Sequence, residues 1–143
     1  PKISFGLVRP LADSITLDAL ILNRYEIMAR YAKEIRKVFK AEVQSLKLES
    51  ADVGVIKAAR RWMHRDVEKV PVAVIVQIDL VRAASPILDK MVIMREELKQ
   101  MWLSTNISPE QLALDLQEWC YRAEVSGIRA LKEFSLKLKS VQA

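Results

Sequence analysis

A chain of 143 residues suffices for one domain, which at this size buries roughly two thirds of its unfolded surface. Its 51% hydrophobic and 29% charged residues exclude a disordered composition, and three glycines with five prolines exclude a turn-rich sandwich. One cysteine, Cys120, excludes an internal disulfide and fits a reducing compartment. No stretch nears the roughly 20 uncharged residues of a membrane span, since the run from Val70 to Val81 is interrupted by Pro71, Gln77 and Asp79.

Residues 1–13, broken by Pro1, Gly6 and Pro10, develop no helical period and read as a linker from a preceding, missing domain. The remainder, 14–143, reads as one helical domain. Asp13, Ser14 and Thr16 are candidate N-caps for a long amphipathic helix over 15–48, with Leu20, Ile35, Phe39 and Val43 on its apolar side. Ser50 is placed to cap a second helix that buries Val53, Ile56, Ala59, Trp62 and Met63, leaves Lys57, Arg60 and Arg61 in solvent, and ends near His64 to Asp66.

The segment 72–84 has strand propensity in Val72, Val74, Ile75, Val76 and Ile78, but no other segment offers it a partner strand, so a helix is expected. Ser85-Pro86 and Ser108-Pro109 each set a capping hydroxyl before a proline at the first helical position, and Gln111 completes the spacing of a capping box. The helix from Pro86 is expected to bury Leu88, Met91, Val92, Leu98, Met101 and Trp102. The helix from Pro109 is expected to bury Leu112, Leu116, Trp119, Cys120 and Ala123. Gly127 stands where a left-handed C-cap belongs, and a last helix over about 128–139 turns Leu131, Phe134, Ser135 and Leu138 to one side. The expected fold is all-α, a single-domain bundle of about six helices with the first one long.

No complete catalytic or metal site emerges. The lone histidine, His64, cannot build a protein-only iron or zinc site, and Cys120 has no imidazole near it in its helices to activate it. Glu96-Glu97 and Glu118 with Glu124 have the spacing of exposed partners for Lys90, Arg95, Lys99 and Arg122 rather than of an acid/base pair. Trp62, Trp102 and Trp119 fall at core spacings and read as packing anchors. The charge of +5 is uneven: six bases against Glu26 and Glu34 between Arg24 and Lys40, and five against Asp66 and Glu68 between Lys57 and Lys69. Lys33, Arg36, Lys37 and Lys40, together with Arg60, Arg61 and Arg65, are the candidate contacts to an anionic surface. Ordinary solvated helix faces are the alternative reading.

Asn23 to Ala32, Ala59 to Asp66, Met94 to Leu98 with Trp102, and Leu116 to Ile128 leading to Phe134-Ser135 together resemble the C-terminal region of proteobacterial fatty acid desaturases, beyond their membrane-embedded part. That resemblance implies a parent oxidoreductase of lipid metabolism that inserts a cis double bond with dioxygen and a di-iron site held by histidine boxes. None of the boxes is present, so no catalytic residue, cofactor or metal falls in this chain, and the iron belongs to the parent. The implied partners are the preceding membrane domain of the same chain, an anionic membrane surface and a second copy of the chain. The implied location is the cytoplasmic side, attached to the inner membrane through the missing N-terminal part. The stretch from Ser85-Pro86 to Leu138 also resembles a helical part of an insertion-sequence transposase family of the DDE type, which implies nucleic acid as the partner. A free-standing helical scaffold is a third reading.

Overall fold

A computed structural model describes residues 14–46, 53–104 and 106–140. The all-α, single-domain class expected from the sequence is what it has, and no strand occurs among the described residues. Seven α-helices follow one another: α1 (Ser14–Leu22), α2 (Arg24–Glu42), α3 (Val53–Trp62), α4 (Val72–Ala84), α5 (Pro86–Leu103), α6 (Pro109–Glu124) and α7 (Arg129–Lys139). Short 3₁₀ turns at Val43–Ser45 and Val67–Lys69 follow α2 and precede α4. The linker expected over 1–13 and the cap expected at Ser50 lie outside the described residues.

The long first helix expected over 15–48 is instead two helices and a 3₁₀ turn. The break is at Asn23, and its cause is local. The Asn23 side chain donates from Nδ2 to the Ala19 carbonyl at 2.7 Å, and Arg24 donates from Nη1 to the Ile21 carbonyl at 2.7 Å. The Ala19 carbonyl also keeps its backbone bond from Asn23 N at 3.1 Å, so the Asn23 side chain shares it, while the Ile21 carbonyl is taken by the Arg24 guanidinium. The ladder resumes at once, since Ile27 N donates to Asn23 O at 2.9 Å.

Two compact units divide the chain: Pro1–Ala29 with Met94–Ala143, and Arg30–Ile93. In the first, Leu17, Leu20, Ile27, Met94, Leu98, Leu116, Trp119, Leu131, Phe134 and Leu138 are buried. Trp119 anchors this core. Its ring meets Phe134 edge-on at 6.0 Å and 75°, and its Nε1 donates to the Met94 carbonyl at 2.9 Å. The bond meets the polar need of a fully buried indole, which would otherwise cost about 1–3 kcal/mol. Helix α6 starts as expected: Ser108 Oγ accepts from Gln111 N at 3.1 Å, with Pro109 at the first position. The reciprocal half of the capping box is absent, because Gln111 Nε2 turns to Asp115 Oδ1 at 2.8 Å. Gly127 has φ of 80°, the left-handed geometry expected of it between α6 and α7.

In the second unit Tyr31, Ile35 and Phe39 form the buried line of α2, and Ile78, Val81, Leu88 and Met91 that of α4 and α5. Tyr31 is fully buried, and its hydroxyl donates to the Met91 carbonyl at 2.7 Å. Ser85 caps α5 from within: its Oγ accepts from Leu88 N at 3.1 Å and donates to Glu42 Oε1 at 3.1 Å. A carboxylate at that helix N-terminus is also favoured by the dipole. Arg82 Nε meets Asp89 Oδ1 at 2.6 Å across the α4–α5 corner. Ala59 and Met63 are buried as expected, but on α3 Val55 is buried in place of Val53, which is 71% exposed, and Ile56 and Trp62 are half-buried. Lys57, Arg60 and Arg61 of α3 point to solvent as expected. The 72–84 segment is helical despite its β-branched residues, since Ile78 and Val81, three apart, form its buried line.

Candidate functional site

The lines of burial decide where the bases go. On α2, burial at 31, 35 and 39 leaves Lys33, Arg36, Lys37 and Lys40 exposed on the other side of the helix. On α3, burial at 55, 59 and 63 leaves Lys57, Arg60 and Arg61 exposed, and Arg65 is exposed in the turn that follows, where its N donates to Trp62 O at 3.0 Å. Every one of the seven candidate contacts (Lys33, Arg36, Lys37, Lys40, Arg60, Arg61, Arg65) therefore falls in the unit 30–93 and reaches solvent. That unit holds thirteen Lys/Arg against eight Asp/Glu, whereas the other holds ten of each. The whole excess of five positive charges sits on one unit.

Trp62 ends α3 and is half-buried, so it is not the full core anchor expected. The Arg65 guanidinium carbon lies 4.9 Å from its ring centroid and that of Arg61 lies 5.5 Å away, both within cation–π range. Beside them is an open groove of about 550 Å³ lined by Lys57, Ala58, Arg60, Arg61 and Trp62. Among the described residues, none of Lys57, Arg60, Arg61 and Arg65 is paired with a carboxylate. Lys57, counted among the bases of 57–69, and Trp62, read as a packing anchor, stand outside the seven candidate contacts, yet both line this groove. A usable signal existed, since Arg61 adjoins the tryptophan and Arg65 follows one helical turn later.

Charges in the other unit are arranged differently. Arg122 Nη1 meets Glu97 Oε1 at 2.7 Å, which agrees with the expectation that Glu97 serves an arginine. Glu96 accepts from Gln100 at 2.9 Å. Glu124, however, pairs not with Arg122 but with Lys139, at 2.7 Å from Nζ to Oε2, and the Lys139 side chain is only 2% exposed. Ser135 Oγ completes the cluster, 2.7 Å from Glu124 Oε2 and 3.2 Å from the Cys120 carbonyl oxygen. Burial pushes the Cys120 thiol up to about 11, so it is protonated at neutral pH and no nucleophile. This cluster holds α6 against α7. Among the described residues, no group of three His, Cys, Asp or Glu could hold a metal ion, and no helix is long and apolar enough to cross a membrane.

Comparison with known proteins decides between the resemblances. Residues 13–143 match the DDE-type ISL3 family, described as transposase. A transposase for insertion sequence element IS1001 from Bordetella parapertussis is 27% identical over 122 residues, covering 84% of this chain. The chain spans 29% of that relative's length. No solved structure matches. These findings overturn the fatty acid desaturase resemblance, and with it the oxidoreductase and lipid-metabolism reading and the attachment to an inner membrane through a membrane domain. The parent's iron had no support apart from that resemblance. Strings such as Ala59 to Asp66 and Leu116 to Ile128 follow the apolar, basic and acidic spacing of any amphipathic helix, and that spacing carries little family information. The transposase likeness, seen in the sequence only from Ser85 to Leu138, extends over nearly the whole length: this chain belongs to the ISL3 family of DDE-type transposases.

Proposed function

We propose that this chain is a helical part of an insertion-sequence transposase that contacts DNA through the basic surface of residues 30–93. The observation that carries the reading is the charge partition: all five excess positive charges fall on that unit, on exposed side chains of α2 and α3. Such a surface attracts phosphate without reading sequence, because lysine and arginine release condensed counterions wherever phosphates lie. In this reading the chain contributes binding, and four of its carboxylates already serve structure: Asp89, Glu97 and Glu124 pair with Arg82, Arg122 and Lys139, and Glu42 accepts from Ser85 at the start of α5. Cleavage and joining of DNA belong in this reading to a longer protein.

The experiment is a titration of the purified chain with duplex DNA over a salt series. Should four of the seven bases meet phosphates, affinity falls on the order of 100-fold between 50 and 200 mM salt. Changing Arg60, Arg61 and Arg65 together to alanine removes up to three phosphate contacts and flattens the salt slope by up to about 3. Anionic vesicles serve as a control for attraction by charge alone. Absence of any nucleic-acid binding at low salt, or a slope indifferent to the three substitutions, refutes the reading.

A further inference from the structure

We infer that the groove beside Trp62 takes an unpaired base, so that this surface prefers single-stranded over duplex DNA. The inference rests on the nucleic-acid reading above and deepens it. Three observations meet at the same place. The groove has a mixed wall, with Ala58 and the Trp62 ring supplying apolar surface and Lys57, Arg60 and Arg61 supplying charge. The Trp62 ring is only half-buried, unlike the fully buried Trp119. Guanidinium groups of Arg61 and Arg65 already stand within 5.5 and 4.9 Å of its centroid.

A base pair inside a duplex has both faces covered by its neighbours and offers the protein only edges and phosphates. An aromatic wall gains nothing from such a ligand. An unpaired base has a free π-face, and indole rings and guanidinium planes are both surfaces on which such bases stack. The Arg61 and Arg65 side chains add the phosphate contacts that hold the strand while a base lies against Trp62. Stacking on one aromatic side chain changes affinity roughly 5- to 150-fold and is tolerant of base identity. The expected ligand is therefore a short single strand of any sequence, bound tighter than its own duplex.

The test uses the whole 143-residue chain, a twelve-nucleotide single strand of mixed sequence, and the same strand annealed to its complement, at low salt. The expected result is that the single strand binds at least about tenfold tighter than the duplex. Trp62→Ala removes about tenfold from single-strand affinity, changes duplex affinity less than about twofold, and leaves the salt slope of both unchanged because no charge is lost. Trp62→Phe keeps most of the single-strand affinity. A second readout needs no change at position 62. With Trp102→Phe, the emission that responds to ligand comes from Trp62, since Trp119 is fully buried, and the single strand quenches it more than the duplex does. Equal affinity for both ligands with equal quenching overturns the inference while leaving the nucleic-acid reading intact. Binding of neither ligand overturns both.

Discussion

Glu124 and Lys139 are partners whose environments differ, and the difference makes their substitutions unequal. Lys139 is 2% exposed in its side chain and Glu124 is 23% exposed. Glu124→Gln takes the full negative charge from beside a buried ammonium, a class of change that costs about 3–5 kcal/mol when both partners are dry. The partial exposure of Glu124 and the amide oxygen that remains reduce this to about 2–3 kcal/mol. Lys139→Met removes the ammonium but keeps the length and apolar stem of the side chain. The carboxylate left behind still has the Ser135 hydroxyl at 2.7 Å and some access to water, so the cost is about 1 kcal/mol. The double variant is less destabilised than the two single costs summed, by about 1–2 kcal/mol. Urea unfolding followed by circular dichroism measures all four proteins. At a slope of about 1.5 kcal/mol/M, Glu124→Gln lowers the midpoint by about 1.3–2 M and Lys139→Met by less than 1 M. Equal costs, or a larger cost for Lys139→Met, refute the assignment of Lys139 as the buried member. Strict additivity refutes the pair itself.

Two further outcomes follow from local geometry. Gly127→Ala costs about 1–2 kcal/mol, and Gly127→Asn less, because φ is 80° while nothing lies within 4 Å of an added Cβ; the penalty is purely conformational and shows in the same urea assay. The Cys120 thiol, raised by burial from 9.0 to about 11, stays protonated in the folded chain at a pH where the unfolded chain has lost the proton. Stability from this group is therefore present below pH 9 and lost as pH rises to about 11. The loss is on the order of 2 kcal/mol, and it is absent in Cys120→Ala when midpoints are compared across that window.

The helix starts were legible because their chemistry is short-range. Ser85-Pro86, Ser108-Pro109 and Gly127 act within four residues, and each does in the structure what its neighbours imply. The 72–84 segment was harder, since its β-branched residues favour a strand locally and only the lack of a partner strand argued for a helix. Where the reading failed, the deciding contact was one that spacing does not carry. At the break by Asn23, two side chains bond carbonyls of α1, one of them shared with the backbone. The exposure of Val53 depends on which turn of α3 meets the core. Lys139 reads as a solvated last-turn lysine until Glu124, fifteen residues earlier, is seen 2.7 Å away.

The proposed surface was half legible for a related reason. The bases of 24–40 and 57–69 stand out along the chain, yet so does the acidic stretch from Asp89 to Glu124, and a count by stretch leaves both exposed alike. The unit boundaries fall inside α2 and α5, so neither unit is a run of sequence with an obvious end. Only after Pro1–Ala29 is grouped with Met94–Ala143 do ten bases cancel ten acids and leave the excess on Arg30–Ile93. In the balanced unit, Arg122 and Lys139 have carboxylates within 2.7 Å. Arg61 and Arg65 have, among the described residues, the Trp62 indole ring instead. An arginine held against an aromatic face keeps its charge available to a phosphate, whereas one bound to a carboxylate has most of it neutralised. That contrast, more than the size of the net charge, is the reason the proposed nucleic-acid surface is placed at the α3 groove.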